Sequence, residues 1–463
     1  MPKKKTALTI EERLQQALVP AEEQPYEVPE NWVWVRLGSL ADVKGGKRLP
    51  KGTTFSENIT KHPYIRVTDF NAIGVSLEGL KYIDEDVYEK ISRYTISSDD
   101  IYVSIAGSIG KVGIIPSCID GANLTENAAK ITNIKGINQK YLCLFLKSEF
   151  AQYQMQSATI ATTQAKLALF RIESLTFPLP PLSEQQRIVE RIEELFAKLD
   201  EAKERLHEVA DSFAVRKAAI LHKAFTGELT KQWRLENGVS DESWEEKLLG
   251  DVCTVNPKKI DAKNLDDNLE VSFVPMAAVS DVLGEIVNHE VKNLQDVRTG
   301  FTNFSKGDVI FAKITPCMEN GKSAIVGPLV NDIGYGSTEF YVLRCKEELN
   351  NKYLYHMVRN TTFRAEAKAV MTGAVGQQRV PKTFLQEYQL LLPTLPEQHE
   401  IVRLIDDLLA RERSAQQATE QALASIELMK KSILARAFRG ELGTNKASEA
   451  SALELLRQVL AEG

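Results

Sequence analysis

Two short glycine-containing segments have residue types suited to nucleotide binding. Gly-Lys-Ser at 321–323 matches the end of a Walker A loop, in which the lysine and the hydroxyl contact phosphates and Mg²⁺. The first glycine of that motif would fall at position 316, which is Pro316. The segment GSIGKVG at 107–113 lacks the strand–GxGxxG–helix layout and the later acidic residue of dinucleotide-binding folds. We therefore predict strand-flanking turns at both places, and no nucleotide site.

Two further patterns match catalytic signatures only in part. Asn256 and Pro257 begin the Asn-Pro-Pro-aromatic tetrapeptide of amino-methyltransferases, but Lys258 follows them. Glu201 and Lys203 have the Glu-x-Lys spacing of some nucleases, but they lie in a charged stretch of predicted helix, which is typical of a solvated face. We predict that this chain carries no catalytic site.

The composition narrows the class of protein. The five cysteines form no CxxC pair and the six histidines are scattered, which favours free thiols in a reducing cytoplasm and no metal site. A net charge of −6 argues against a uniformly basic surface, although a local basic face is compatible with it. No apolar run approaches about 18 residues, and the start of the chain lacks the features of a secretory signal, so we expect neither a membrane span nor secretion.

One long segment occurs twice. PPLSEQQRIVERIEELFAKL begins at Pro180, and PTLPEQHEIVRLIDDLLARE begins at Pro393. Gln185 matches Gln398, 213 positions later (398 − 185), and the ends FTGEL and FRGEL keep the same offset. A segment repeated at constant offset indicates a protein built from two copies of one unit. Ser183 is predicted to be the N-cap of the first copy.

The spacing of apolar residues predicts a long helix in each copy. In the first, over about 183–226, the apolar positions alternate by four and three, which is the heptad pattern of a coiled coil. They are Ile188, Ile192, Leu195, Leu199, Ala202, Leu206, Val209 and Phe213. In the second, over about 396–439, Glu412 and Thr419 interrupt the pattern, which predicts local looseness or a contact with another subunit there. Packed antiparallel against each other, two such helices would form a rigid spacer roughly 60 Å long.

The remaining sequence divides around these helices. We predict an α+β fold with two mixed α/β domains, joined by two long antiparallel coiled-coil helices and related by a pseudo-two-fold internal repeat. The predicted segments are a leader and linker (1–30), a first domain (31–179), a first spacer helix (180–229), a linker (230–243), a second domain (244–392), a second spacer helix (393–442) and a tail (443–463). Short matches such as Thr125-Glu126 with Thr338-Glu339 relate the two domains, whose other residues differ almost everywhere.

This organisation resembles the specificity subunit of type I restriction–modification enzymes. The resemblance rests on the domain–helix–domain–helix order, the two helix starts LPPLSEQ and LPTLPEQ, and the two K-x-x-IL-x-x-AF-x-GEL helix ends. Further matches are WVWVRLGSL, SIAGSIGKVGI, FAKITPCMENGKSAIV and the glutamine-bearing stretches TTQAKL and GAVGQQRV. The resemblance covers nearly the whole chain, and its specificity comes from all these segments occurring in order.

The resemblance implies a non-catalytic DNA-recognition subunit. Each domain would read one half of an asymmetric, split site in double-stranded DNA, and the coiled coil would set the gap and dock two modification (methyltransferase) subunits. Restriction (motor and nuclease) subunits would join the full complex. S-adenosylmethionine, ATP and Mg²⁺ would bind to the partner subunits, and this chain would hold no cofactor. Two alternatives stay open, namely a coiled-coil scaffold without sequence reading and a complex that only methylates. A fused methyltransferase or nuclease is disfavoured by the missing motifs.

Given this resemblance, loop residues with suitable side chains become candidate DNA contacts. Lysine suits phosphates, arginine suits phosphates or guanine, and glutamine can pair with adenine. The candidates are Lys44, Lys47, Arg48, Lys51, Ser104, Lys111, Gln164, Lys166, Arg171, Lys258, Lys313, Lys322, Gln377, Gln378, Arg379 and Lys382.

Overall fold

The computed structural model describes residues 8–71, 74–157, 166–261, 264–374 and 376–462. The chain forms two compact units. The first unit comprises Met1–Arg205 and Ala422–Gly463, and the second comprises Leu206–Gln421. Each unit therefore contains one mixed domain and one end of each long helix, as the predicted α+β class requires.

The described part of the first unit contains two four-stranded sheets and a two-stranded one. Its strands are β1 (Val33–Arg36), β2 (Asp42–Gly45), β3 (Pro63–Ile65), β4 (Lys81–Tyr82), β5 (Thr95–Ile96), β6 (Ile101–Ser104), β7 (Val112–Gly113), β8 (Ala122–Leu124), β9 (Ala128–Thr132) and β10 (Thr176–Leu179). The sheet orders are β2-β9-β6-β7, β4-β3-β8-β5 and β1-β10, with β3 and β8 parallel. Strand β6 is buried along its whole length, as its apolar run favours.

Short helices cover these sheets. They are α1 (Ile10–Ala17), α2 (Glu85–Ile91), α3 (Gln139–Leu146), α4 (Glu149–Ser157) and α5 (Leu169–Glu173), followed by the long α6 (Leu182–Phe225). Helices α3 and α4 are separated at Ser148, whose hydroxyl accepts a hydrogen bond from the backbone N–H of Ala151. Helix α6 begins one residue before Ser183, so that serine is not the N-cap.

The second unit repeats these sheet orders. Its strands are β11 (Glu245–Leu248), β12 (Cys253–Val255), β13 (Glu270–Val274), β14 (Glu290–Asn293), β15 (Thr302–Phe304), β16 (Val309–Ala312), β17 (Ser323–Ile325), β18 (Gly334–Gly336), β19 (Phe340–Cys345) and β20 (Gln389–Leu392). The orders are β12-β19-β16-β17, β14-β13-β18-β15 and β11-β20, with β13 and β18 parallel. The predicted internal repeat is therefore present in strand connectivity as well as in the helices.

The helices of the second unit include one in the segment predicted as a linker. They are α7 (Lys231–Asn237), α8 (Leu249–Val252), α9 (Leu294–Val297), α10 (Asn351–Arg359), α11 (Thr361–Ala369) and α12 (Lys382–Glu387), then the long α13 (Leu395–Ala437) and finally α14 (Ala452–Glu462) of the first unit. Helix α7 forms because Arg234, buried within it, donates a 2.6 Å hydrogen bond to the buried carboxylate of Glu397. The polar composition of 230–243 gives no sign of this contact, so the sequence predicts a linker there.

The ends of α6 and α13 pair antiparallel within each unit. In the first unit Asp200 pairs with Lys430 at 2.5 Å and Lys203 pairs with Glu427 at 2.6 Å. Because the residue numbers rise along α6 while those of the partners fall along α13, the two helices run in opposite directions. In the second unit the C-terminal end of α6 packs with the N-terminal end of α13 in one apolar core. The predicted antiparallel helix pairing is confirmed within each unit.

Glu412 and Thr419, which interrupt the apolar pattern of the second helix, make hydrogen bonds and do not loosen it. The guanidinium of Arg216 donates hydrogen bonds of 2.9 and 3.1 Å to Glu412. Thr419 is buried, and its hydroxyl donates to the backbone carbonyl of Ala415 at 2.8 Å. Elsewhere the apolar stripe is incompletely covered, and Val209 is 42% exposed although it occupies a heptad position. A pair of helices has only one contact face, so part of the stripe meets solvent.

The repeated Glu-Gln dipeptide anchors the start of each long helix. The side chain of Gln185 accepts a 2.7 Å hydrogen bond from the backbone N–H of Asn138 and donates to the carbonyl of Pro180 at 3.0 Å. Gln398 repeats these bonds with Asn350 at 2.8 Å and with the carbonyl of Pro393 at 2.8 Å. Both glutamines are fully buried, so these residues are part of the framework.

The neighbouring glutamates are buried too, but with different partners. Glu184 accepts hydrogen bonds from the indole of Trp32 at 2.7 Å and the amide of Asn445 at 2.9 Å. Burial raises the pKa of Glu184, and the hydrogen bond from Trp32 opposes that rise. In the second unit Arg234 takes over as the donor to the equivalent carboxylate, Glu397.

Neither a metal site nor a membrane span is found in the described ranges. There, no three histidine, cysteine or acidic side chains are grouped to hold a metal ion, and no helix has the length and apolar content to cross a bilayer.

Candidate nucleic-acid interface

In each domain, the loop after an inner strand (β6 or β16) pairs with a segment from later in the chain. We call these two paired segments the loop frame. In the first unit, Ala106 forms a β-bridge with Lys166, and the backbone N–H of Leu167 donates to Ile105 at 2.9 Å. In the second unit, Ile314 forms the same bridge with Arg379. Lys166 and Leu167 thus lie against the loop that follows β6, and Gln378 and Arg379 lie against the loop that follows β16. The structure thus shows contacts within each domain between segments that the sequence repeat only matches from one domain to the other.

A glutamate beside each frame holds an arginine. Glu126 lies 2.7 Å from Arg48, and Glu339 receives hydrogen bonds of 2.8 and 2.9 Å from Arg379. The hydrogen bond from Arg379 lowers the pKa of Glu339. Burial acts to raise the pKa of Glu126, but the hydrogen bonds from Arg48, from the backbone and from Thr125, together with the charge of Arg48, outweigh it, so the pKa of this carboxyl is also lowered. Both glutamates therefore stay charged at neutral pH and orient a guanidinium.

The two arginines come from different segments. Arg48 follows β2, whereas Arg379 lies in the glutamine-bearing stretch, where the first unit has Lys166 (379 − 166 = 213). The loop frame is the same in both domains, but the cation bound by the glutamate comes from a different segment of the chain. This is the pattern expected of two surfaces that contact different partners through one architecture.

Five other cationic candidates of the first domain are exposed. Lys44 lies on β2, 3.3 Å from Asp42, and the ammonium of Lys47 lies 5.5 Å from the ring centre of Tyr94. Lys51 and Lys166 are also exposed. Arg171 lies on α5, with its guanidinium 5.3 Å from the ring centre of Phe170. These side chains are accessible to a phosphate backbone.

In the second domain, Lys258 is exposed after β12 and Lys382 is the exposed first residue of α12. Lys313 lies over the ring of Tyr341 at 5.3 Å. Gln377 is exposed, whereas Gln378 is partly buried and uses its backbone N–H on the hydroxyl of Thr315 at 3.1 Å. Gln164 lies outside the described residues.

Three further candidates, Ser104, Lys111 and Lys322, make hydrogen bonds within the protein, and their role as DNA contacts stays a prediction. The hydroxyl of Ser104 is fully buried, donates to the carbonyl of Ser108 and accepts the backbone N–H of Lys111 at 2.8 Å. The ammonium of Lys111 donates to the carbonyl of Phe70 at 3.1 Å. Lys322 makes the matching bond to the carbonyl of Met276 at 3.2 Å. Position after a strand does not reveal that these side chains fold back to brace the loop.

The sequence comparison missed Glu126 and Glu339 as members of the site. The signal was present, because each follows a threonine in one of the few dipeptides that the two domains share. In the sequence alone, this dipeptide relates the two domains but gives no role to the glutamate. The structure shows that this element of the framework also positions the arginines.

Comparison with known proteins agrees with this architecture. The family model "Type I restriction modification DNA specificity domain" matches residues 29–210 and again 241–423. The specificity subunit of the type I restriction enzyme EcoEI of Escherichia coli is 32% identical over 260 residues, covering 47% of this chain and 43% of that protein. The EcoAI specificity subunit of the same species is 37% identical over 187 residues, covering 40% and 31%. The alignments with these two relatives thus span less than half of each relative.

Longer but more distant similarities cover nearly all of the chain. The StySPI specificity subunit of Salmonella potsdam is 24% identical over 462 residues, which is 94% of this chain and 96% of that protein. The crystal structure of the HsdS subunit from Thermoanaerobacter tengcongensis matches with a TM-score of 0.62 at 20% identity, covering 91% of this chain and 100% of that one. At that identity the structural match supports the fold alone. With two matches to the family model over most of its length, the chain belongs to the family of type I restriction–modification DNA specificity proteins.

Proposed function

We propose that this chain is the sequence-reading subunit of a type I restriction–modification complex. Each domain reads one half of an asymmetric, split sequence in double-stranded DNA. The chain itself is non-catalytic. Methylation and ATP-dependent cleavage belong to partner modification and restriction subunits in the cytoplasm, which hold S-adenosylmethionine, ATP and Mg²⁺.

One observation carries this proposal. The two domains share strand order, bracing lysines and a loop-orienting glutamate, yet they present different side chains on that frame. A scaffold protein has no need for matched frames with divergent loops, whereas two readers of different half-sites do. Arginine, lysine and glutamine at these loops are the residue types that contact bases and phosphates.

The long helices support a spacer role. Helix α6 is continuous over 44 residues and α13 over 43. A continuous helix has a fixed rise of about 1.5 Å per residue, so insertions within it change length in defined steps. We propose that these helices set the number of unread base pairs and dock two modification subunits.

Mapping adenine methylation in cells tests the proposal. The chain is expressed with its modification subunits in a host without other adenine methyltransferases, and methylated sites are read by long-read sequencing. We expect methylation at one split sequence that disappears when this chain is omitted. Exchanging residues 31–179 for those of another family member should change one half of the sequence and preserve the other.

Two outcomes would favour the alternatives. If the partner subunits assemble with the chain but methylate without sequence preference, the chain is a scaffold. If the sequence is methylated but unmodified phage DNA is not restricted in the presence of all subunits, the complex only methylates.

A further inference from the structure

A short hairpin of the second unit carries exposed apolar residues at its tip. Val279 and Ile286 form a β-bridge, and the chain turns between them. We call this segment the 279–286 hairpin. At its tip, Val282 is 79% exposed and Leu283 is 48% exposed. Two adjacent apolar side chains exposed at a turn mark a candidate contact surface.

Hydrogen bonds within the hairpin fix its conformation. The backbone N–H of Gly284 donates to the carbonyl of Ser280 at 2.9 Å, and the backbone N–H of Ser280 donates to the carbonyl of Glu285 at 3.0 Å. The hydroxyl of Ser280 accepts the backbone N–H of Leu283 at 3.0 Å. The exposure of the tip is therefore a property of a defined turn.

Helix α10 supports one side of the hairpin. A Cβ atom at Gly284, whose φ is +70°, would lie 2.7 Å from Cζ of Arg359 and would overlap the hydroxyl of Tyr355. Glycine is therefore required at this position. The guanidinium of Arg359 also donates to the carbonyl of Asp281 at 2.7 Å. The hairpin thus packs directly against α10.

Arg359 also joins the hairpin to the loop between β16 and β17. Its guanidinium donates to the carbonyl of Gly321 in that loop at 2.8 Å. The ammonium of Lys322 adds a 3.2 Å bond to the carbonyl of Met276, which lies just before the hairpin. These bonds hold the hairpin and the loop side by side.

The same loop belongs to the loop frame of the second domain. The backbone N–H of Ala312 donates to the carbonyl of Lys322 at 2.9 Å, so the two ends of the loop lie together. The backbone N–H of Lys313 donates at 2.9 Å to the carbonyl of Glu339, the residue whose side chain holds Arg379. The hairpin therefore lies beside the candidate DNA contacts of this domain.

The first unit has a hairpin at the equivalent place, but of different length. Each hairpin follows a short 3₁₀ helix, Val67–Asp69 in the first unit and Met276–Ala278 in the second. In the first unit Phe70 and Val75 form the bridge, five positions apart (75 − 70) where the second unit has seven (286 − 279). Residues 72–73 of its tip lie outside the described residues. A constant position with a variable tip is typical of recognition loops.

The side chains of the 279–286 hairpin indicate which part of a DNA duplex it fits. Asp281 and Glu285 flank the two apolar residues, and carboxylates repel phosphates. A two-stranded β-ribbon fits the major groove, where the 5-methyl group of thymine is the apolar feature of the base edges. An apolar tip without a cation therefore suits the floor of the groove and not its phosphate rim.

We infer that the 279–286 hairpin is a second base-reading element of the second domain, in which Val282 and Leu283 contact thymine methyl groups in the major groove. This rests on the proposed function. Arg379 of the loop frame supplies directed hydrogen bonds, and the hairpin supplies apolar contacts to nearby base pairs. Arg359 is a positioning residue, because it holds the hairpin beside the loop frame.

Replacing thymine by uracil measures these contacts, because the two bases differ only in the 5-methyl group. The assembled complex with its modification subunits is titrated with duplexes of the methylated sequence, in which single thymines are replaced. The half-site of the second domain is the half that persists when residues 31–179 are exchanged. There we expect the parent to lose about 4-fold in affinity at one or two thymines, the contribution of one buried methyl group each.

The double variant Val282→Ser with Leu283→Ser should bind the thymine and uracil duplexes equally at those positions. Val291→Ser is the matched control, because it removes another valine of the same unit, 51% exposed on β14, and should keep the parental sensitivity. Arg359→Gln should reduce the sensitivity at the same thymines, and an unchanged sensitivity removes its positioning role. Thymines in the other half-site should behave alike in all variants.

The outcomes separate the hairpin from the wider function. A parent complex without sequence preference overturns the proposed function and the role of the hairpin with it. A sequence-specific parent in which no thymine of that half-site senses its methyl group overturns the hairpin alone, as does a double variant with parental sensitivity to uracil. A double variant that releases modification subunits in size-exclusion chromatography and keeps that sensitivity also overturns it, because the hairpin then docks a protein.

Discussion

If the second domain reads one half-site as proposed, Arg379→Ala is expected to relax the base preference at one position of that half-site. The Arg379 side chain is 43% exposed and makes two hydrogen bonds of 2.8 and 2.9 Å to Glu339. Ion pairs this exposed contribute little to stability, so the guanidinium can exchange the carboxylate for a guanine edge at small cost. A bidentate arginine–guanine contact discriminates by roughly 5- to 150-fold, and this is the preference that should be lost.

Methylation mapping of three matched variants provides the assay. Arg379→Ala should broaden one position in the second domain's half-site, and Arg48→Ala should affect only the other half. Arg379→Lys keeps the charge but loses the planar pair of donors, so it should keep the affinity and still lose the base preference. The unfolding midpoint of each variant should stay within about 2 °C of the parent, because the ion pairs are exposed.

A uniform fall in methylation at every site, with an unchanged sequence, would refute base reading by Arg379. The residue would then contact phosphate or hold the loop. Full rescue by Arg379→Lys would lead to the same conclusion, since a point charge cannot replace two directed donors on a base edge.

Three further variants test other contacts. Arg234→Ala should destabilise the second unit by about 3–5 kcal/mol because it strands the buried carboxylate of Glu397; an unchanged urea midpoint, followed by tryptophan fluorescence, would contradict the buried pair. The hydrogen bond from His356, with a smaller contribution from Lys352, lowers the pKa of Asp406 to about 2. Asp406→Asn should therefore cost about 1 kcal/mol or less above about pH 4, after solvent screening, and the two unfolding curves should converge as the pH falls to about 2. Ser104→Ala should cost about 1–3 kcal/mol in thermal unfolding and leave the methylated sequence unaltered, since its hydroxyl is buried within its own loop.

The architecture was readable from the sequence because it depends on local and repeated signals. The heptad pattern locates α6 and α13, and the constant offset reveals two copies. The pairing of Arg216 with Glu412 could not be predicted, because it joins positions 196 residues apart. The helix in 231–237 was missed for the same reason, since Arg234 finds its acceptor 163 residues later in the chain.

The candidate site was only partly readable. Residue type and loop position identify Arg48 and Arg379 but say nothing of the glutamates that orient them. The same reasoning could not show that the hydroxyl of Ser104 is bonded within its own loop, because the direction in which a loop folds back is set by tertiary contacts. Sequence thus finds chemically suitable side chains, and the structure decides which of them are free to act.

The buried glutamines at the helix starts have a consequence for how such proteins diversify. Gln185 and Gln398 fasten each domain to its helix through backbone groups alone. Backbone N–H and carbonyl groups are present whatever the side chain, so this attachment places few demands on the identity of the residues around it. A new domain sequence acquired by recombination could therefore attach to the existing helix through the same hydrogen bonds without further changes. Under the proposed function, mutations in one domain can then change its DNA preference without changing how the other domain is attached to its helix.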